Sequence, residues 1–281
     1  MSLPGTDLLH SALSVLRRGA MRVRHSTASV NETPIIVLGN QKSGTSAIAH
    51  LLADYGALSK TVDIPPLWGY RGLSVMRRDP SFARIVADHP YFFSTDLFKE
   101  PMMTFFPEQV AERFPNATYV FVARDPRANI RSLLDSRGLP GHRTTLRDDD
   151  QNHLSASRTL LDADAWHISA DSYIELLAKR WVRAIQGLRT LQQTTSDCLL
   201  LRYEDFTADK YDCIHRTATT LDLPKRGTIV DKLDVAFQPR GDHRDKDWET
   251  FFGSDNLSII TTVCGEEMER LGYDRSRRSP Y

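Results

Sequence analysis

The segment Pro34-Ile-Ile-Val-Leu-Gly39-Asn-Gln-Lys42-Ser43-Gly44-Thr45-Ser46 constrains the fold more than any other part of the chain. The unbroken apolar run from Ile35 to Leu38 predicts a strand covered on both faces. A glycine-bounded loop follows, with one lysine and three hydroxyls in or just after it. Thr45 to Tyr55 then reads as a helix that ends near Gly56. Strand, tight loop and helix in that order aim backbone N–H groups and a helix N-terminus at an anion such as phosphate. Gly39 and Gly44 have the spacing of a nucleotide-triphosphate loop, but the lysine expected after the second glycine is replaced by Thr45. The lysine stands earlier, at position 42.

The rest of the chain alternates strands with helices. Phe92–Lys99, Thr118–Ala123 and a short buried Cys198–Leu201 are the further predicted strands. Helices are expected at Ser81–Asp88 (capped by Asp79 or Ser81), Pro107–Phe114, Arg127–Ser136, Ser172–Gln193, about 207–222 and about 255–270. Residues 57–80 and 138–170 read as irregular, the second stretch being either a lid or a solvated loop. The pattern predicts an α/β, three-layer P-loop-type fold with a central, mostly parallel sheet flanked by helices. Residues 34–281 would form this domain, preceded by an N-terminal helical arm at 1–33. Ligands of such sheets bind outside the carboxyl ends of the strands. Lys42, Lys99 and Arg124 follow predicted strands and are expected to meet there.

Composition narrows the partners. The 281 residues carry 36 basic and 36 acidic side chains, so no long-range field favours nucleic acid. Three cysteines without metal spacing read as reduced thiols of a cytoplasmic protein. No apolar run is long enough to span a bilayer. Leu8, Leu9, Leu13, Leu16 and Met21 interleave with Arg17, Arg18, Arg22 and Arg24. That arm could pack on the domain, fray, or make weak contact with a membrane surface.

A second constellation is Tyr119-Val-Phe-Val-Ala-Arg124-Asp-Pro-Arg127-Ala-Asn-Ile-Arg131-Ser132. Arg124 leaves a strand end, and Ser132 lies two turns along the next helix. A guanidinium fork and a hydroxyl so placed can grip one phosphate from two sides. Taken alone, the first loop could be a structural turn and the Arg-Asp pair a structural salt bridge.

Together these segments resemble the sulfotransferase family, which uses 3′-phosphoadenosine 5′-phosphosulfate (PAPS) and releases adenosine 3′,5′-bisphosphate (PAP). The Gln-Lys42-Ser-Gly-Thr-Ser46 loop looks like the family's 5′-phosphosulfate loop. Val-Ala-Arg124-Asp-Pro through Ser132 looks like its 3′-phosphate strand-helix. Lys99-Glu100-Pro101, Trp181-Val-Arg-Ala-Ile and Leu-Arg-Tyr203-Glu-Asp-Phe resemble the tyrosylprotein-sulfotransferase branch and its bacterial relatives. The resemblance spans about residues 34–273. It implies that Ser43, Gly44, Thr45 and Ser46 hold the 5′-phosphate, and that Lys42 neutralises the leaving oxygen or the sulfuryl group. It implies 3′-phosphate contacts from Arg124 and Ser132, transition-state stabilisation by Lys99, and Tyr203 beside the nucleotide. Arg240 and Lys246 fall where the family folds a basic loop over the nucleotide, although a solvated loop fits them equally.

Sulfuryl transfer runs in line through a loose transition state, where positioning and charge stabilisation dominate. The sulfuryl group carries less charge than a γ-phosphoryl, so no metal is expected. The acceptor hydroxyl needs a base. Asp63 is the first candidate, although an Asp before Pro65-Pro66 also suits a turn. Glu100 is the second, followed by His50 and His89. The alternatives are a small-molecule kinase using ATP and Mg²⁺, or a non-catalytic nucleotide-binding protein of the same fold. The acceptor class, whether small molecule, sugar or lipid, and the oligomeric state are not encoded in any recognisable motif. The lack of an anchor favours a cytoplasmic acceptor over a secreted protein.

Overall fold

The computed structural model describes residues 24–147, 158–238, 243 and 246–276. Strands β1 (Ile35–Leu38), β2 (Lys60–Val62), β3 (Leu97–Lys99), β4 (Thr118–Ala123) and β5 (Cys198–Arg202) form one sheet. The order is β2-β3-β1-β4-β5, and every pairing is parallel. The helices are α1 (Thr45–Gly56), α2 (Tyr70–Met76), α3 (Phe82–Asp88), α4 (Pro107–Arg113), α5 (Pro126–Asp135), α6 (Ala163–Trp166), α7 (Tyr173–Thr194), α8 (Tyr203–Ala208), α9 (Lys210–Thr220) and α10 (Trp248–Arg270).

Strand periodicity builds the layers. Ile36, Leu38, Tyr119 and Phe121 point into one core with Trp181 of α7 and Trp248 of α10. Their neighbours Val37, Val120 and Val122 point into the other, with Leu51 and Leu52 of α1 and Ile214 of α9. Successive side chains of a strand face opposite sides, so two adjacent strands serve both cores. The result is the three-layer α/β arrangement. Among the described residues no helix is long and apolar enough to cross a membrane.

Several elements differ from expectation for local reasons. β5 is half-buried along its length, because it pairs on one side only and forms an edge. The expected strand from Phe92 contracts to Leu97–Lys99. Pro90–Phe93 forms a 3-10 turn, and Asp96 accepts from the Ser59 amide and hydroxyl (2.9 and 2.6 Å) before the strand begins. Residues 57–80 hold β2, too short to show a period, and α2, which starts after Gly69 at φ 63. Within 138–170, Arg158–Leu160 forms a 3-10 turn followed by α6. α10 begins before 255: Asp247 caps it by accepting from Thr250, and Gly253 at φ 73 interrupts it, which hides the first turn from helical periodicity. Ser81 caps α3. Of the arm expected at 1–33, residues 24–27 form a helical turn and residues 1–23 lie outside the described residues.

Gly187 lets α7 lie against the 3-10 segment Pro101–Phe105. A methyl at 187 would sit 2.3 Å from the Thr104 carbonyl oxygen. Overpacking against backbone costs about 1–3 kcal/mol. Gly187→Ala is therefore expected to lower thermal stability by several degrees in calorimetry, and an unchanged Tm would contradict this packing.

Candidate active site

All strands end at the same edge of the sheet, and each end delivers a residue with chemistry. β1 runs into the Gly39–Gly44 loop, β2 into Asp63, β3 ends on Lys99, β4 runs into Arg124 and β5 into Tyr203. The register sets Val37 of β1 and Val62 of β2 beside Lys99.

The loop needs its glycines. Gly39 has φ 141, and a Cβ there would lie 2.4 Å from the Val122 carbonyl oxygen. Gly44 has φ 94, and a Cβ there would lie 2.3 Å from the Tyr203 ring. Thr104 accepts from the Gly39 amide (2.9 Å) and donates to its carbonyl (3.2 Å). Asn129 of α5 donates to the Gln41 carbonyl (2.8 Å) and the Ser43 hydroxyl (3.0 Å), and accepts from Asn40 (3.0 Å). Thr104 and Asn129 are wholly buried. The N-cap of α1 is Gly44, which offers no capping side chain, so the first-turn N–H groups of α1 have no intrahelical partner.

Arg124 crosses the mouth of the loop. Its Nη1 donates to the Lys42 carbonyl (2.7 Å), and its guanidinium lies 4.5 Å from the Tyr203 ring centroid. Trp181 Nε1 donates to the Arg124 carbonyl (2.9 Å). Glu204 accepts from the Asp125 amide and the Tyr273 hydroxyl (both 3.0 Å), fixing the turn that carries the arginine. The Nε atoms of Arg124 and Arg137 are buried without a partner. Burial, followed by the Arg124 and Arg137 charges, lowers the pKa of Lys42, and Asp135 opposes them. Arg137, Thr104 and Asn129 were not singled out from the sequence. Their signal exists only once α5 and the 3-10 segment fold against the loop.

Lys42, Gly44, Ser46, Arg124, Ser132 and Tyr203 line one cleft of about 220 Å³. Leu51, Phe206, Leu233 and Phe237 give it an apolar wall. Gln238 donates to the Ser46 hydroxyl (2.9 Å), and Phe237 stacks on His50 at 4.8 Å. The segment before residue 239 is thereby strapped along α1. Ser43 and Thr45 are buried behind the cleft. Arg240 lies outside the described residues. Lys246 is exposed away from this lining, with its carbonyl accepting from Arg131.

Lys99 and Asp63 form an ion pair beside the loop. Lys99 has 1% of its side chain exposed and Asp63 has 41%. Asp63 adopts φ 70, and its amide donates to the Lys99 carbonyl (2.9 Å). Both charges reach His50, whose pKa is lowered chiefly by burial and next by Lys60. Glu100 is buried, and both its oxygens are engaged. Oε2 accepts from the Ile64 amide (2.8 Å) and Trp68 Nε1 (3.1 Å), and Oε1 accepts from the Met102 amide (3.1 Å). Burial raises its pKa, against the pull of those amides. His89 lies elsewhere, within hydrogen-bonding distance of Arg71 (3.3 Å) and beside His25. Among the described residues no group of His, Cys, Asp or Glu could hold a metal ion.

Fold and cleft define an α/β protein whose sheet edge gathers a loop, a helix N-terminus and clustered cations. The profile of the sulfotransferase family matches residues 68–226, more than half of the chain. The chain belongs to that family and is a sulfuryl-transferring enzyme. The matched span begins after the Gly39–Gly44 loop and Asp63. Similar solved structures include the sulfotransferase domain of the curacin biosynthetic pathway, with 11% identity over 88% of this chain and 99% of that one (TM-score 0.50). A sulfotransferase from Alicyclobacillus acidocaldarius has 13% identity over 87% and 98% (TM-score 0.46). Mouse SULT7A1, solved with PAP, has 13% identity over 89% of each chain (TM-score 0.48). At 11% identity the likeness to the curacin-pathway domain is one of fold. No curated protein matches the chain in sequence.

Removing the Glu100 carboxylate leaves three N–H donors without their acceptor. Glu100→Ala is expected to cost at least about 2 kcal/mol in urea unfolding. Unchanged stability would show that this carboxylate does not hold the 63–68 segment.

Proposed function

We propose that this sulfotransferase takes its sulfuryl group from PAPS, releases PAP, and transfers the group to a hydroxyl acceptor with Asp63 as general base. The observation that carries the reading is the single cleft joining Lys42, Gly44, Ser46, Arg124, Ser132 and Tyr203 at an uncapped helix N-terminus. The residues suit a doubly phosphorylated nucleotide. Two guanidinium Nε atoms are buried without partners, and Lys42 lies in a field of like charges that an anion relieves.

In this reading the N–H groups of the α1 first turn, Lys42 and Ser46 hold the 5′ end. Arg124 and Ser132 hold the 3′-phosphate, with Arg137 adding positive charge behind them. Tyr203 fixes the loop from below, and Leu51, Phe206 and Leu233 exclude water from the apolar wall. The bound nucleotide supplies a sulfuryl group on a phosphate leaving group. Asp63 accepts the acceptor's hydroxyl proton on a carboxylate oxygen. Lys99, anchored at the end of β3, neutralises negative charge that develops beside it. Asp63 is preferred to Glu100 because three N–H donors already occupy the Glu100 oxygens. Clustered lysine and arginine charge serves here in place of a divalent metal.

The test is thermal stabilisation by PAP, paired with turnover. PAP should raise the Tm where ATP does not, and Arg124→Ala should abolish the rise. Asp63→Asn should keep PAP binding and lower kcat by about a hundredfold or more. Wild-type turnover in Asp63→Asn removes it as the base, and stabilisation by ATP in preference to PAP overturns the donor.

Lys42 gives the cleft a pH signature. Its folded pKa lies below the ordinary value of 10.5, so the native protein binds fewer protons than the unfolded chain between the two. The cost of the charged lysine is present at neutral pH and is relieved as pH rises through the folded pKa. An anion raises that pKa, so binding takes up protons. PAP affinity is therefore expected to fall as pH rises toward 10.5, and Lys42→Arg should flatten the fall in calorimetric titrations.

A further inference from the structure

Large exposed hydrophobic side chains are few among the described residues: Trp68, Tyr70, Val230 and Val235. Their placement is uneven. Val235 lines the nucleotide cleft, and Trp68 and Tyr70 follow Asp63 on the chain. Trp68 is 55% exposed and Tyr70 53%. Neither ring hangs loose. Trp68 Nε1 donates to Glu100 Oε2, the same oxygen that accepts the Ile64 amide next to Asp63. Tyr70 donates its hydroxyl to Asp162 Oδ2 (2.7 Å), the cap of α6. Gly69 between them holds φ 63 and ψ −144, a backbone shape that suits glycine. The segment that Tyr70 reaches is itself fixed from beneath. Arg180 donates to the Leu160 carbonyl (2.9 Å) and Arg183 to the Trp166 carbonyl (3.0 Å).

Each ring therefore has its polar atom satisfied on the protein side while about half of the residue stays exposed. Indole and phenol lose few rotamers on binding and present electron-rich faces. Folding has already paid to fix them. We infer that Trp68 and Tyr70 form the acceptor platform of the transfer site, and that the acceptor is a carbohydrate hydroxyl. This rests on Asp63 being the base.

Openness of the surface favours a saccharide. Apolar small molecules gain affinity by enclosure in a cavity. A sugar ring has a weakly positive C–H face that suits an aromatic face, and its hydroxyls keep their hydrogen bonds to water. A half-exposed platform offers the first contact without demanding desolvation of the second. The Asp162 carboxylate and the Arg158 charge beside Tyr70 add polar partners at its rim. The shared Glu100 oxygen ties Trp68 to the residue next to Asp63, so a sugar stacked on the indole is registered to the carboxylate that takes its proton.

The experiment is transfer of labelled sulfate from PAPS by the full chain to a glycan panel, run beside panels of phenols, lipid alcohols and tyrosine peptides. Glycans should be sulfated. Trp68→Ala and Tyr70→Ala should each raise the glycan KM by about tenfold, the effect of losing one stacking contact. Thermal stabilisation by PAP should remain as in the wild type. Trp68→Phe should recover most of the lost KM, because it keeps a ring face. Tyr70→Phe does the same without the Asp162 hydrogen bond. Transfer confined to phenols, lipids or peptides overturns the acceptor class. Unchanged glycan KM in both alanine variants overturns the platform. Neither result touches the donor site or the base, which are read separately through PAP stabilisation in Arg124→Ala and through kcat in Asp63→Asn.

Discussion

The side-chain amide of Asn129 lies buried between helix α5 and the loop after β1, bonded to Asn40, Gln41 and Ser43 at once. It has no freedom to turn, because its oxygen and nitrogen face different partners. The loop it holds must keep glycine at 39 and 44 and a positive φ at Lys42, all of which cost free energy in isolation. Thr104 makes the second tie, at Gly39. Two neutral side chains from distant parts of the chain thus fix the backbone of the loop. Arg124 adds a third tie, at the Lys42 carbonyl.

The strand-loop-helix unit was legible in the sequence because its signals are local. An apolar run, two glycines and a helical run lie within about twenty residues. Arg124 and Ser132 were legible for the same reason, as a strand end and the helix that follows it. The five-stranded order was not legible, since β2 is three residues long and lies within a glycine- and proline-rich stretch. Thr104, Asn129 and Arg137 were missed because nothing near them in sequence marks them. Their meaning comes from contacts more than 60 residues away for Thr104 and more than 80 for Asn129. The expected buried β5 became an edge because burial of a strand depends on whether another strand pairs beyond it, and sequence periodicity does not report that.

The two halves of the site are built differently. In the cleft of Lys42 and Arg124, cations are gathered, and the nearby carboxylates are engaged in other bonds: Asp125 with Arg127, Glu204 with the Asp125 amide, and Asp135 with His243. Around Asp63, by contrast, Lys99 and Asp63 are paired, and Glu100 accepts from three N–H groups. The first arrangement suits a ligand that brings charge with it. The second suits a neutral hydroxyl that needs a proton removed.

The contact between Gly44 and Tyr203 ties the last of these parts together. The ring occupies the volume where a Cβ would be, carries the Arg124 guanidinium on its face, and that guanidinium in turn bonds the Lys42 carbonyl. Four residues from three strand ends thus form a closed stack. Substitutions within such a stack do not act independently: once one member leaves, removal of a second costs little more. Sequence drift at these four positions would consequently have to occur in concert, so the stack behaves as one inherited unit rather than as four adjustable contacts.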